Sequence, residues 1–257
     1  MRRPWTIVLL SVGAAMGLCA IVAFVLVVLA PLTPVSPVSP PADSPQGEEP
    51  TWAPPASLPV AAAEQGSGIQ TRVDADWASR VATATGIPVR ALVAYAGAAM
   101  VKAEQMPECG LSWATLAGVG AIESDHGRHG GSELDAGGTA VPGIFGIALD
   151  GTSTAHIPDS DGGAIDGDAE YDRAVGPMQL IPQTWRNWHV DGGADGVEDP
   201  QNIDDAALAA ANYLCRSSID MDTEAGWRAA ISSYNGSESY LRAVAAAAER
   251  YTELAGG

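Results

Sequence analysis

The sequence predicts a mainly α-helical domain carrying an irregular lobe of loops and short strands beside a cleft. Three observations predict it. Apolar residues recur at helical spacing through Val73 to Thr85 and Val89 to Gln105. A single acid, Glu123, closes the apolar run Ala117-Gly-Val-Gly-Ala-Ile-Glu123. Between Gly130 and Tyr171 the chain turns rich in Gly and Asp, with brief apolar pieces such as Ile144-Phe145-Gly146-Ile147 that are too irregular for helix.

From the N-terminus, Met1-Arg2-Arg3-Pro4-Trp5 precedes Thr6 to Ala30, which holds no charged residue. As a helix it would run about 37 Å, enough to span a bilayer. Arg2 and Arg3 orient that end to the cytoplasm, so everything after Ala30 is expected outside. A cleaved signal peptide is the alternative. The apolar stretch is long for one, and Pro31 is a poor cleavage context, which favours an uncleaved anchor over residues 1–30. Cys19 lacks a convincing lipobox and reads as an apolar residue of the span. Residues 31–70 read as a Pro-rich extracytoplasmic linker, semi-extended over its first half, with a reach of up to about 100 Å.

The folded domain is expected over residues 71–257. Gly86-Ile87-Pro88 breaks the first two helices, and Pro107 stops the second. Ser112 is an N-cap for a helix from Trp113 to Glu123, with Leu116, Val119 and Ile122 as its buried face and Gly127 as its stop. Further helices are expected over Pro182 to Trp188, Asp204 to Arg216, Thr223 to Ser233 and Ser237 to Leu254.

The chain has 257 residues with 13 basic and 31 acidic side chains, a formal charge of −18. That excess argues against nucleic acid and anionic surfaces as partners of the soluble part. Cys109 and Cys215 fall on the expected extracytoplasmic side, where a disulfide persists. Two buried thiols are the alternative. With no Cys-x-x-Cys and scattered histidines, a zinc site is not expected.

Glu123 is the candidate catalytic residue, because a carboxyl at the end of a buried helix is costly to ionise and so suits a general acid near neutral pH. No second acid is evident. Asp125 is turned by about 200° from Glu123 on a helix and is expected to cap or pair locally. Asp172 either reaches the cleft or pairs with Arg173 or Arg128. His126 and His129 sit in a glycine-rich turn suited to hydrogen bonding rather than catalysis. Trp185, Trp188 and Trp227 fit the core better than stacking on a ligand.

No cofactor is required by these residues. The loop from Asp191 through Asp195 and Asp199 is similar to the first part of an EF-hand, but Gly193 and Asn202 replace two of its ligands, leaving at most a weak calcium site. The alternating acids from Asp159 to Asp168 are equally explained as turn formers.

Four blocks in order carry a resemblance: Leu116-Ala-Gly-Val-Gly-Ala-Ile-Glu123-Ser124-Asp-His-Gly127; Asp172-Arg-Ala-Val-Gly176-Pro-Met178-Gln179 with Ile181-Pro-Gln-Thr-Trp185; Asp205-Ala-Ala-Leu-Ala-Ala-Ala-Asn-Tyr-Leu-Cys215; and Ser233-Tyr234-Asn235. From about Thr71 to Tyr251 the chain resembles an actinobacterial lytic murein transglycosylase of the membrane-bound B type, related to soluble transglycosylases and goose-type lysozymes. The resemblance implies a lysozyme-like α+β fold. It also implies cleavage of the β-1,4 bond between N-acetylmuramic acid and N-acetylglucosamine in peptidoglycan, leaving a 1,6-anhydro end, with Glu123 as acid and then base. Ser124 would hold Glu123 and the sugar, Gln179 and Met178 would meet the glycan, and Tyr234 and Asn235 would orient the acid and the N-acetyl group. The expected partners are glycan strands, the membrane through the N-terminal helix, and division or cell-wall machinery. Two other functions compete: a muramidase admitting water to the same cleft, and a wall-binding scaffold without turnover.

Overall fold

A computed structural model describes residues 50–256. The expected membrane anchor, Cys19 and the linker as far as residue 49 lie outside the described residues. Among those described, no single helix is long and apolar enough to cross a membrane.

The described chain is mainly helical, as expected, with a two-stranded sheet. Helix α1 (Ala75–Thr85) starts two residues later than its apolar spacing suggests, because Asp74 caps it by accepting the Trp77 N–H at 2.8 Å. Gly86, at φ 76°, ends it. Helix α2 (Val89–Gln105) buries Leu92 and Tyr95 completely.

Helix α3 (Trp113–Ser124) is the central element. Ser112 caps it, and every residue from Trp113 to Gly120 is buried, as expected of a helix that is apolar all round. Ile122, expected to be buried, is 41% exposed because the last turn of α3 emerges from the core. The helix also stops earlier than Gly127. Asp125 at φ 51°, His126 at φ 59° and Gly127 at φ 86° are three consecutive left-handed residues, and the N–H groups of Asp125 and His126 close back onto Ala121 and Gly120. A short polar Asp tolerates the first of these positions, so the stop comes two residues before the glycine.

Strands β1 (Glu133–Leu134) and β2 (Ala140–Val141) pair antiparallel. Isolated bridges, among them Phe145 with Val175 and Pro158 with Tyr171, complete the expected lobe. Helices α4 (Pro182–Trp188), α5 (Ile203–Ser217), α6 (Glu224–Tyr234) and α7 (Glu238–Ala255) follow. The last three are capped by Asn202, Thr223 and Ser237. Helix α7 lies along α3 at Gly118, where a Cβ would stand 2.9 Å from the Val244 carbonyl oxygen.

Cys109 and Cys215 form a disulfide across 106 residues, joining the turn before α3 to α5. Arg90 grips Asp204, which is 1% exposed, through two hydrogen bonds.

The linker expected to run to residue 70 ends earlier. Ala53 and Ile69 are buried; the Ala56 N–H donates to Ser112 Oγ at 3.1 Å, and Trp113 Nε1 donates to the Ser57 carbonyl at 3.2 Å. Ala61 bridges Val73, and Ile69 donates to the Gly192 carbonyl. Composition marks this stretch as linker, yet its backbone groups are spent on the domain.

Candidate active site

The cleft has a volume of about 620 Å³ and lies between the end of α3, the lobe at Leu149 to Ile157, the segment around Gln179, and the α6 end at Tyr234 and Asn235. That size suits a bound small molecule or a few sugar units. Among the described residues lining it, Glu123 is the one carboxyl group.

Burial pushes the Glu123 carboxyl up to about 7, against a hydrogen bond from Tyr240 that pulls it down. Tyr240 Oη donates to Glu123 Oε1 at 2.5 Å. The acid is thus held in one orientation and divided between its two protonation states at neutral pH, the condition for giving and taking a proton in one cycle.

Ser124 does not reach the cleft. It is 1% exposed; its Oγ donates to the Pro177 carbonyl at 2.6 Å and accepts the Gly127 N–H at 2.8 Å. Its contribution is to lock the end of α3 to the Gly176–Gln179 turn. Met178 is likewise fully buried, and its carbonyl accepts the Tyr234 hydroxyl at 2.6 Å. Neither side chain is placed to touch a glycan.

Gln179 lines the cleft from a left-handed backbone position, φ 47°, with Nε2 donating to the Gly176 carbonyl. Asn235 also lines the cleft; its Oδ1 accepts the Ser237 N–H, and its Nδ2 has no partner among the described residues. Tyr234 also lines the cleft, but its hydroxyl is committed to Met178, so orientation of the acid falls to Tyr240. Tyr213 backs Tyr234 with ring centroids 5.8 Å apart and donates to the Ser233 carbonyl.

Tyr240 and Tyr213 were not singled out by sequence. The periodicity of Tyr240, Val244, Ala248 and Tyr251 marks the buried face of α7, and that face packs on α3, which carries Glu123.

His126 sits beneath the site. It is buried between two hydroxyls, Nδ1 at 3.3 Å from Tyr95 Oη and Nε2 at 2.9 Å from Tyr251 Oη. Burial lowers its pKa to about 4, so it is neutral at pH 7 and serves as a strut between α2, the α3 end and α7.

Asp172 makes none of the expected contacts. Fully buried, it accepts from the N–H and hydroxyl of Ser160, while Arg173 pairs with Asp168 at 2.8 Å and Arg128 with Asp125 at 2.7 Å. Trp185 and Trp227 are core residues at 5% and 1% exposure.

The acidic loops fold as turns. Asp191 accepts the N–H groups of Asp195 and Gly196, Asp195 accepts Val197, and Asp199 accepts Gln201. Among the described residues the one close acidic group is elsewhere, at Asp159, Asp161 and Asp172. Backbone N–H groups also occupy Asp159 and Asp161.

Compared with protein-family models, with curated proteins and with solved structures, the chain matches none.

Proposed function

We propose that the protein is a lytic transglycosylase that cleaves the β-1,4 bond between N-acetylmuramic acid and N-acetylglucosamine in peptidoglycan, acting outside the membrane in cell-wall remodelling. The observation that carries this proposal is a single half-buried carboxyl in the cleft, poised at about 7 and hydrogen-bonded by one tyrosine. Enzymes that divide acid and nucleophile between two carboxylates need a second one at roughly 5 to 9.5 Å. The described lining offers none, which suits a reaction in which the substrate supplies both the nucleophile and the charge stabilisation.

In the first step the Glu123 carboxyl gives its proton to the glycosidic oxygen, and the bond from that oxygen to muramyl C1 breaks. The substrate's own N-acetyl oxygen meets the positive charge developing at C1. In the second step the muramyl C6 hydroxyl attacks C1 and its proton passes to the Glu123 carboxylate, restoring the acid. Nothing is consumed besides the strand. The Tyr240 hydrogen bond favours the carboxylate form needed in the second step, and burial favours the acid needed in the first. Gln179 Oε1 and Asn235 Nδ2 are the groups suited to the glycan's amide and hydroxyl edges.

Clearing of a suspension of purified peptidoglycan tests this function. The full-length protein is expected to clear it and Glu123→Gln to lose at least about 100-fold in rate, the smaller end of what a positioned general acid contributes.

A further inference from the structure

A second cavity, of about 230 Å³, lies between the C-terminal ends of α2, α4 and α5. Its lining is dominated by donors: Lys102 from α2, Asn212 and Arg216 from α5, and Asn187 and His189 at the end of α4. Trp188 and Met106 supply apolar contact. Trp188 and Tyr213 are neighbours, their rings 6.4 Å apart, and Tyr213 belongs to the cleft lining.

The donors here are largely unspent. Lys102 is 5% exposed, yet its ammonium makes one hydrogen bond among the described residues, to Gln105 Oε1 at 3.1 Å, and no ion pair. Burial lowers its pKa, the sign of a cation without a counter-charge. Arg216 and Asn212 have no side-chain partner among the described residues. His189 is paired with Glu198, and Asn187 Oδ1 accepts from Gln183 Nε2. Lys102 and Arg216 each sit in the last turn of a helix, where the negative end of the dipole favours a cation. That accounts for the residue types and leaves most of their N–H groups without a side-chain acceptor among the described residues. In a chain of formal charge −18, two such cations converging on one cavity stand out against the surroundings.

We propose that this cavity binds a carboxylate with a small apolar substituent, as at the C-terminus of a short peptide ending in alanine. The Arg216 guanidinium has the fork geometry for both carboxylate oxygens, and Lys102 supplies the charge at the floor. Asn187 and Asn212 line the same cavity and carry amide N–H groups suited to a peptide carbonyl, and Trp188 and Met106 offer apolar surface for a methyl group. The volume, about 230 Å³, accommodates such a residue together with its flanking peptide group. This site stands whether or not the cleft cleaves glycan.

Saturation-transfer NMR on the full-length protein in mild detergent, with N-acetylalanine as probe and N-acetylalaninamide as its uncharged control, tests it. Saturable transfer to the acid and not to the amide is expected, weakened about tenfold or more by either Lys102→Met or Arg216→Gln. Arg216 is exposed, so its variant retains the fold. Glu123→Gln leaves the signal unchanged. No transfer at up to about 50 mM, equal transfer to the amide, or the same affinity in both variants would overturn the proposal.

Discussion

Tyr240 Oη and Glu123 Oε1, from residues 117 apart in sequence, meet at 2.5 Å where the first turn of α7 reaches the last turn of α3. This contact opposes burial in setting the Glu123 carboxyl at about 7. Tyr240→Phe keeps the ring and removes the hydrogen bond, so the Glu123 pKa rises further. For wild type, kcat/KM falls as pH climbs through about 7, where the acid is lost. In Tyr240→Phe that descent moves to higher pH, while the maximum falls about tenfold because the carboxylate is less well oriented. A pH–rate profile of both proteins checks the pair of effects; a lower rate with an unmoved descent would place Tyr240 in packing alone.

Glu123 and His126 pull stability in opposite directions with pH. The folded pKa of His126 is lowered, so its contribution is complete above about 6.5 and lost as pH falls toward 4, in total about 3 kcal/mol. Glu123 is raised, so its contribution is complete below about 4.5 and lost as pH rises through 7. Asp205, raised to about 6 by burial, acts like Glu123 and is common to wild type and variant. Replacing Glu123 by Gln removes one slope. Thermal unfolding should show Glu123→Gln more stable than wild type by about 1–3 kcal/mol at pH 8 and no more stable at pH 4.

Gly176 and Gly86 both have φ near 75°, but their surroundings differ. A Cβ on Gly176 would collide with the Pro200 carbonyl oxygen, whereas nothing lies within 4 Å of one on Gly86. Gly86→Ala should therefore cost about 1 kcal/mol, the price of the left-handed backbone alone. Gly176→Ala should cost more than about 2 kcal/mol and reduce activity as well, since it displaces the turn to which Ser124 ties Glu123. Thermal melts of the two variants, with clearing assays, check the contrast.

Removing the Cys109–Cys215 disulfide, which closes a loop of just over 100 residues, frees the unfolded chain. The paired Cys109→Ala and Cys215→Ala change is expected to lower stability by up to about 4.7 kcal/mol, checked by denaturant unfolding.

Much of the fold was legible in the sequence because its signals are local. Ser112, Thr223 and Ser237 cap helices within a residue of where the apolar spacing begins. Glu123 stands out because an acid in an apolar run is anomalous in one dimension. Contacts made in three dimensions left no such mark. Ser124 adjoins Glu123 in sequence but turns into the core to bind Pro177, whereas Tyr240 is remote in sequence and touches the acid. Tyr234 lines the cleft as expected, yet its hydroxyl is drawn off by a backbone carbonyl. Residues 50–70 read as linker because Ala, Ser and Pro dominate; only packing shows that Ala53 and Ile69 are buried.

The central claim is that Glu123 alone drives an intramolecular transfer. Mass spectrometry of the fragments released from purified peptidoglycan by the full-length protein, beside Glu123→Gln, tests it most directly. Fragments ending in 1,6-anhydromuramic acid that disappear in the variant are the predicted result. Reducing muramyl ends, which require water to enter the same cleft, or release independent of Glu123, would contradict it.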